Sequence, residues 1–204
     1  MRVWRQGTTL KACTRKPGQR RYVRTLGPWS SATTIAVGEG NVAWTQSRAG
    51  ADGPVDTVRT VDVRTGARWV STSHAVPAPD AATPASDDRV LRLLVDRRVT
   101  TWVTARGAIA AVVRKLDPEA STLYGEGLPG AVPFHVGRTF ALGDAGPAQA
   151  AAVAKGLALG TGGDGDECGG TTDYQVRIPA FGTRPATIFL YASEDYTSDA
   201  EYCH

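Results

Sequence analysis

The chain is written in short runs where apolar and polar residues alternate with a period of two, the pattern of half-buried strands. Thr8–Lys16 reads as one such run, Lys16-Pro17-Gly18-Gln19 as its turn, and Arg21–Leu26 as the returning strand. Thr33–Val37 and Val42–Ser47 flank Gly38-Glu39-Gly40, and Val55–Val63 and Arg68–Ser73 flank Arg64-Thr65-Gly66. Val90–Val95 and Val99–Thr104 flank Asp96-Arg97-Arg98, and Ala108–Lys115 follows. Strands this short, spaced by roughly 8–12 residues, predict an all-β sandwich, barrel or propeller. One segment departs from the pattern. Gly146–Leu159 has Pro147 just inside a helix start and a run of alanines, with Gly156 as an interruption. Beyond it, Tyr174–Ile178 and Ala186–Ala192 read as strands on either side of Pro179–Pro185. From Ser193 the tail is polar and acidic, and is expected to fray unless Cys203 pins it.

A longer period underlies the short one. Trp4 and Trp44 are 40 residues apart, and so are Trp29 and Trp69. Val3-Trp4-Arg5 and Val42-Ala43-Trp44-Thr45 are similar settings, and Val99-Thr100-Thr101-Trp102-Val103 is a third, with Tyr124 near the place of the second aromatic. The Pro/Ala/Asp-rich stretch 74–88 absorbs the longer offset of 58 between Trp44 and Trp102. Phe140, in Gly137-Arg138-Thr139-Phe140-Ala141, marks a fourth copy 38 residues further on. A period near 40 with about four short strands per unit is that of propeller blades. Thr60-Val61-Asp62-Val63-Arg64-Thr65-Gly66-Ala67-Arg68-Trp69 resembles the D-x-x-T-G-x-x-W strand-turn-strand of PQQ-like and WD40-like β-propeller repeats. The resemblance implies a blade whose outer hairpin turns on Thr65-Gly66, within a repeat region spanning residues 1–127. The expected architecture is therefore all-β, with propeller-like repeats forming an incomplete ring, or alternatively a β-sandwich. Residues 1–143 would be the repeat region with its insertion at 74–88, and 144–204 a less regular segment with a Gly/Asp-rich loop and an acidic tail.

Composition narrows the classes. The 204 residues, 42% of them hydrophobic and 21% charged, suffice for one sizeable core or two small ones and exclude wholesale disorder. No apolar run approaches the roughly 18–20 residues of a membrane-spanning helix. The net charge of +3 hides an asymmetry: residues 1–30 carry eight basic side chains and no acid, while 161–204 carry eight acids against Arg177 and Arg184. Mutual attraction of the two ends explains this better than a nucleic-acid arm, because the basic residues are interleaved with strand-like ones. The hairpin Lys16–Arg21 lacks the interleaved aromatics of single-strand binders and reads as a solvated tip. No nucleic-acid partner is expected.

Chemistry-bearing motifs are few. Gly160-Thr161-Gly162-Gly163-Asp164-Gly165 matches G-x-G-x-x-G, but Asp166-Glu167-Cys168 follows where a nucleotide site needs a helix, so a flexible loop is expected. Asp164, Asp166 and Glu167 place three carboxylates on that Gly-rich backbone; Ca²⁺ would suit them, although their spacing is not that of an EF-hand and loop acids are commonly just solvated. Cys168 and Cys203 are expected to form a disulfide, leaving Cys13 buried or paired outside the chain. That pairing favours an exported, extracellular or cell-surface protein whose leader is not part of this sequence. His74, His135 and His204 lie far apart and no G-x-S-x-G elbow is present, so no nucleophile–base set can be named. Asp56 with Asp62, or Glu194 with Asp195, would do acid–base work only if folding placed one of them in an apolar setting. The recurrence of Trp4, Trp44 and Trp102 marks them as core positions rather than a stacking platform. The leading expectation is a non-catalytic binding or scaffold domain for a protein or carbohydrate, presenting loops such as 74–88 and 160–170. A hydrolase or lyase of extracellular polymers with rim carboxylates is the alternative, and a fragment of a longer propeller the third reading.

Overall fold

The computed structural model describes residues 1–15, 18, 20–50, 53–72, 89–114, 122–125, 132–133, 139–166 and 169–197. Among them are four antiparallel sheets and one helix, and no sheet closes into a barrel. The first sheet is the meander β1 (Arg2–Gln6), β2 (Thr9–Thr14), β3 (Tyr22–Pro28). The second is β4 (Ile35–Gly38), β5 (Asn41–Gly50), β6 (Gly53–Asp62), β7 (Arg68–Thr72), again in chain order. β8 (Val90–Val95), β9 (Val99–Thr104) and β10 (Ala108–Val113) form the third, completed by β13 (Thr139–Asp144) against β10. The fourth is ordered β12-β11-β17-β16-β14, with β11 (Thr122–Gly125), β12 (Val132–Pro133), β14 (Ala158–Gly162), β16 (Gly169–Ile178) and β17 (Thr187–Thr197). β15 (Gly165–Asp166) continues the pairing of β14 on β16. The helix α1 (Pro147–Gly156) precedes β14.

The sheets stack in chain order because strand alternation gives each one two faces to bury. Leu10, Ala12 and Leu26 of the first sheet meet Val42, Trp44 and Val61 of the second. The opposite face of the second sheet, through Ala43 and Val58, meets Leu93, Trp102 and Val112 of the third. The far side of the third, through Val99, Val103 and Ile109, meets Val153 and Leu157 at the helix and Val176, Phe189 and Tyr191 of the fourth. β9 lies between two cores, and all six of its residues are buried. Two of its three threonines are accommodated by hydrogen bonds: Thr100 shares one with Thr60 across the sheets at 3.0 Å, and the Thr101 hydroxyl donates to the Ala110 carbonyl at 2.8 Å, while the Thr104 hydroxyl is buried with no partner among the described residues. The second and third sheets approach so closely that a Cβ on Gly38 would lie 1.9 Å from the Val95 carbonyl oxygen, so no larger residue fits there.

The tryptophan repeat has a structural meaning. Trp44 and Trp102 lie on the second strands of their sheets, are 1% and 0% exposed, and both point toward the sheet before them. Trp4 lies on β1, on the face opposite Val3, which packs on the second sheet. Phe140 does not begin a fourth unit: its strand β13 is the last strand of the sheet that contains Trp102. Tyr124 likewise belongs to the fourth sheet, where it pairs with Leu190, and not to the place of Trp29 and Trp69. The expected loop at 160–165 is strand through Gly162, and pairing with β16 resumes at Gly165 in the same register. Gly160 serves packing: a Cβ there would lie 2.8 Å from Nε of Arg177, whose guanidinium crosses β14 to donate to the Thr161 carbonyl. The tail is paired rather than frayed as far as Thr197, because β16 and β17 pair from Gly169↔Thr197 to Ile178↔Thr187, with one register shift between Tyr174 and Gln175.

Candidate functional site

In an antiparallel meander every second connection falls at the same end of the sheet. The connections β2–β3, β4–β5, β6–β7 and β8–β9 and the end of β10 therefore gather at one end of the stack. Their residues are charged: Arg15 and Arg20, Glu39, Asp62 and Arg64, Arg97 and Arg98, and Arg114. A cleft of about 480 Å³ opens there, with Arg15, Arg20, Arg64 and Arg97 facing Glu39 and Asp62. It continues into a hollow of about 630 Å³ that shares Asp62, Arg64 and Arg97 and adds Arg98, Arg114 and Glu194.

Local structure fixes much of this lining. The Asp62 carboxylate accepts the N–H groups of Arg64 and Thr65 at 2.9 and 3.0 Å, which sets the β6–β7 turn. It also pairs with Arg114 at 3.3 Å, and that guanidinium lies 4.7 Å from the Trp69 ring centroid. Partial burial works to raise the Asp62 pKa, but hydrogen bonds from Thr65, Arg114 and Arg64 outweigh it and hold the carboxyl below its ordinary value. Asp96 organises the next turn in the same way, accepting the N–H groups of Arg98 and Val99 at 2.6 and 2.7 Å. Its second oxygen takes the Tyr191 hydroxyl, whose pKa is pushed far up by burial and then by the Asp96 charge, so Tyr191 remains a donor. Asn41 donates to the Asp96 carbonyl at 2.9 Å, tying the second sheet to the third.

Glu194 of β17 closes the far side. It binds Arg98, pairs with Arg97 at 3.0 Å and accepts the Tyr174 hydroxyl at 2.7 Å, and the Arg98 guanidinium lies 5.3 Å from the Tyr174 ring centroid. On the near side Arg24 donates to the carbonyls of Val63 and Arg64 at 3.0 and 2.8 Å, joining the first sheet to the second. Three arginines of this end are thus committed to carboxylates. The side chains of Arg15, Arg20 and Arg64 are exposed and make no hydrogen bond or ion pair among the described residues.

The residues singled out from sequence lie elsewhere or are spoken for. Asp56 is buried and accepts the Ser47 hydroxyl and the Val90 N–H, so it braces the second sheet against the start of β8. Asp56 and Asp62 are six residues apart on one extended strand, about 20 Å, and form no pair. Glu194 is in the cleft but bound to arginine, and Asp195 follows it on β17. Asp164 is exposed between β14 and β15, where its carbonyl accepts the Thr171 N–H at 2.6 Å, and Asp166 lies on β15. Glu167, Cys168, Cys203, the insertion 74–88 and all three histidines lie outside the described residues. Among the described residues no group of three metal-ligating side chains converges. Cys13 is a free, half-buried thiol near the Arg21 guanidinium. The signal for the cleft was present in the sequence: arginine stands at the β2–β3, β6–β7 and β8–β9 connections and after β10, a pattern visible only once the turns are sorted by the end they occupy.

The chain matches no family model, no curated protein and no solved structure among those compared. No helix among the described residues is long and apolar enough to cross a membrane.

Proposed function

We propose that this chain is a non-catalytic binding domain of propeller-like repeat units, and that it binds through the arginine-lined cleft. The propeller-like reading is supported by meanders stacked face to face in chain order and by the matching placement of Trp44 and Trp102. The observation that carries the non-catalytic reading is the state of Asp62 and Glu194, the two cleft carboxylates that are not exposed to solvent as Glu39 is. A polymer hydrolase needs one carboxyl kept protonated by an apolar setting and another left ionised. Asp62 is shifted the opposite way, and both oxygens of Glu194 are engaged by Arg97, Arg98 and Tyr174. An exported setting with Cys168 joined to Cys203 belongs to the same proposal. The test is a thermal-shift panel of neutral and acidic saccharides and short peptides, with product analysis of every mixture. At least one class is expected to raise the melting temperature with dose while remaining uncleaved. Cleavage that disappears in Asp62→Asn overturns the reading, as does a panel in which nothing raises the melt.

A further inference from the structure

The binding reading leaves the ligand's chemistry open, and the charge distribution of the cleft narrows it. Arg15 follows β2, Arg20 precedes β3 and Arg64 stands in the β6–β7 turn, so two sheets deliver three guanidinium groups to one concavity. Guanidinium groups brought together repel one another unless something neutralises them, and among the described residues carboxylates neutralise only the others. Asp62 takes Arg114, and Glu194 takes Arg97 and Arg98. Arg24, from the same strand wall, spends its guanidinium on the Val63 and Arg64 carbonyls. That contact fixes the backbone from which Arg64 projects. Glu39 is the one cleft carboxylate with no hydrogen bond or ion pair among the described residues, so three unpaired cations face one unpaired anion.

Unpaired arginines at a concave wall have a defined preference. The planar fork of each takes two oxygens of a carboxylate or phosphate side by side, and a concave site of one sign concentrates the opposite sign. A volume of about 480 Å³ falls within the range of small-molecule sites and excludes a bulky partner from the floor of the cleft. We propose, building on the binding reading above, that the cleft recognises a compact ligand carrying two or more oxyanion groups, held by Arg15, Arg20 and Arg64. Asp62 is a positioning residue here: it fixes the turn that carries Arg64 and occupies Arg114. A neutral saccharide would leave the three guanidinium groups without partners and is the wrong class.

The probes are inorganic tripolyphosphate and citrate, which separate phosphate from carboxylate sources, with maltotriose as the neutral control. Each is titrated calorimetrically into the full chain at low and physiological salt. Saturable binding of one or both anions is expected, weakening as salt rises, with no heat from maltotriose. Arg64→Ala and the pair Arg15→Ala/Arg20→Ala are each expected to weaken anion binding on the order of tenfold, because each removes a charge-assisted contact. All three side chains are exposed, so the melting temperature should not move, and Arg92→Ala, an exposed arginine of β8 outside the cleft, controls for net charge. The proposal is overturned if neither anion binds, or if the cleft variants bind as wild type does. Saturable maltotriose binding without anion binding would refute the ligand class and leave the binding-domain reading standing. Release of orthophosphate from tripolyphosphate would do the reverse, sinking the non-catalytic reading while anion recognition survived.

Discussion

The first sheet and the third are built from the same kind of meander, yet they occupy different physical situations. The third sheet is covered on both faces, by the second sheet on one side and by the helix and fourth sheet on the other. Among the described residues the first is covered on one face only. Register places Arg2 with Cys13, Trp4 with Lys11, and Cys13 with Val23 on its other face. Arg2, Gln6, Arg21 and Thr25 are exposed around that face, and Val23 is 47% exposed. The same residue type at the same repeat position therefore does two jobs. Trp102 is a core side chain because a neighbouring sheet lies over it, while Trp4 is half-buried because none of the described residues forms such a cover. A repeat in the sequence specifies a position within a unit; burial is decided by the neighbour.

The largest expected effects test that contrast directly. Trp102→Ala should destabilise the fold by about 3–5 kcal/mol, since a large buried ring leaves a cavity that packed neighbours cannot fill. Trp44→Ala should cost a similar amount, because Trp44 is equally enclosed between the first and second sheets. Trp4→Ala should cost about 1 kcal/mol or less, the range of partly exposed sites. Urea unfolding of the three variants ranks them. A Trp4→Ala loss equal to that of Trp102→Ala would mean the first sheet is covered after all. A finer comparison uses the indole nitrogens: neither Trp44 nor Trp102 finds a hydrogen-bond partner for its buried N–H among the described residues. Trp102→Phe should therefore lose far less than Trp102→Ala, because the smaller ring removes the unsatisfied donor along with some volume.

Why the sequence announced some of this and concealed the rest follows from where the information lies. Val90–Val95 and Val99–Thr104 were legible to the residue, because a polar Asp-Arg-Arg turn interrupts two β-branched runs. Arg2–Gln6 is not legible as a strand, since its alternation carries arginine and glutamine on the open face. Gly160–Gly165 looked like a loop because glycine weakens strand signals; the reason for glycine at 160 is the Arg177 side chain lying across it from another strand. Phe140 failed as a repeat marker because the β10–β13 connection is long, so a strand that completes one sheet falls at the spacing of a new unit. The cleft was hidden for a related reason. Its arginines are scattered over a hundred residues and converge only through the up-and-down path of the strands.

Intermediate effects come from the polar braces between sheets. Asp56→Ala removes the acceptor of the buried Val90 N–H and should cost about 1–3 kcal/mol. Asp62 supplies the pH dependence. Its folded pKa lies below the unfolded value, so its stabilising contribution is complete above the ordinary carboxylate range near 4 and is lost as pH falls through the folded pKa. Wild type should therefore lose more stability than Asp62→Asn between pH 5 and pH 3, and the two unfolding curves should approach each other as acid rises. Equal slopes for both proteins would show that the turn and Arg114 contribute nothing through the charge of Asp62.

The smallest effect discriminates best, because it reads the open face without disturbing the fold. Cys13 shares that face with Trp4, and its sulfur lies 3.8 Å from an Arg21 nitrogen. Cys13→Ser should change stability by only about 0.5 kcal/mol, as for other partly exposed positions. In the native chain Cys13 should take one alkyl group at neutral pH at a rate that denaturant raises only modestly, since no sheet has to leave before reagent arrives. Intact mass of the unreduced, fully unfolded chain then adds a second reading. One adduct means that Cys168 and Cys203 are joined, as the exported setting requires, and three means that they are not. Protection of Cys13 until global unfolding would place a cover on the first sheet, and Trp4 would then be as deeply buried as Trp44 and Trp102.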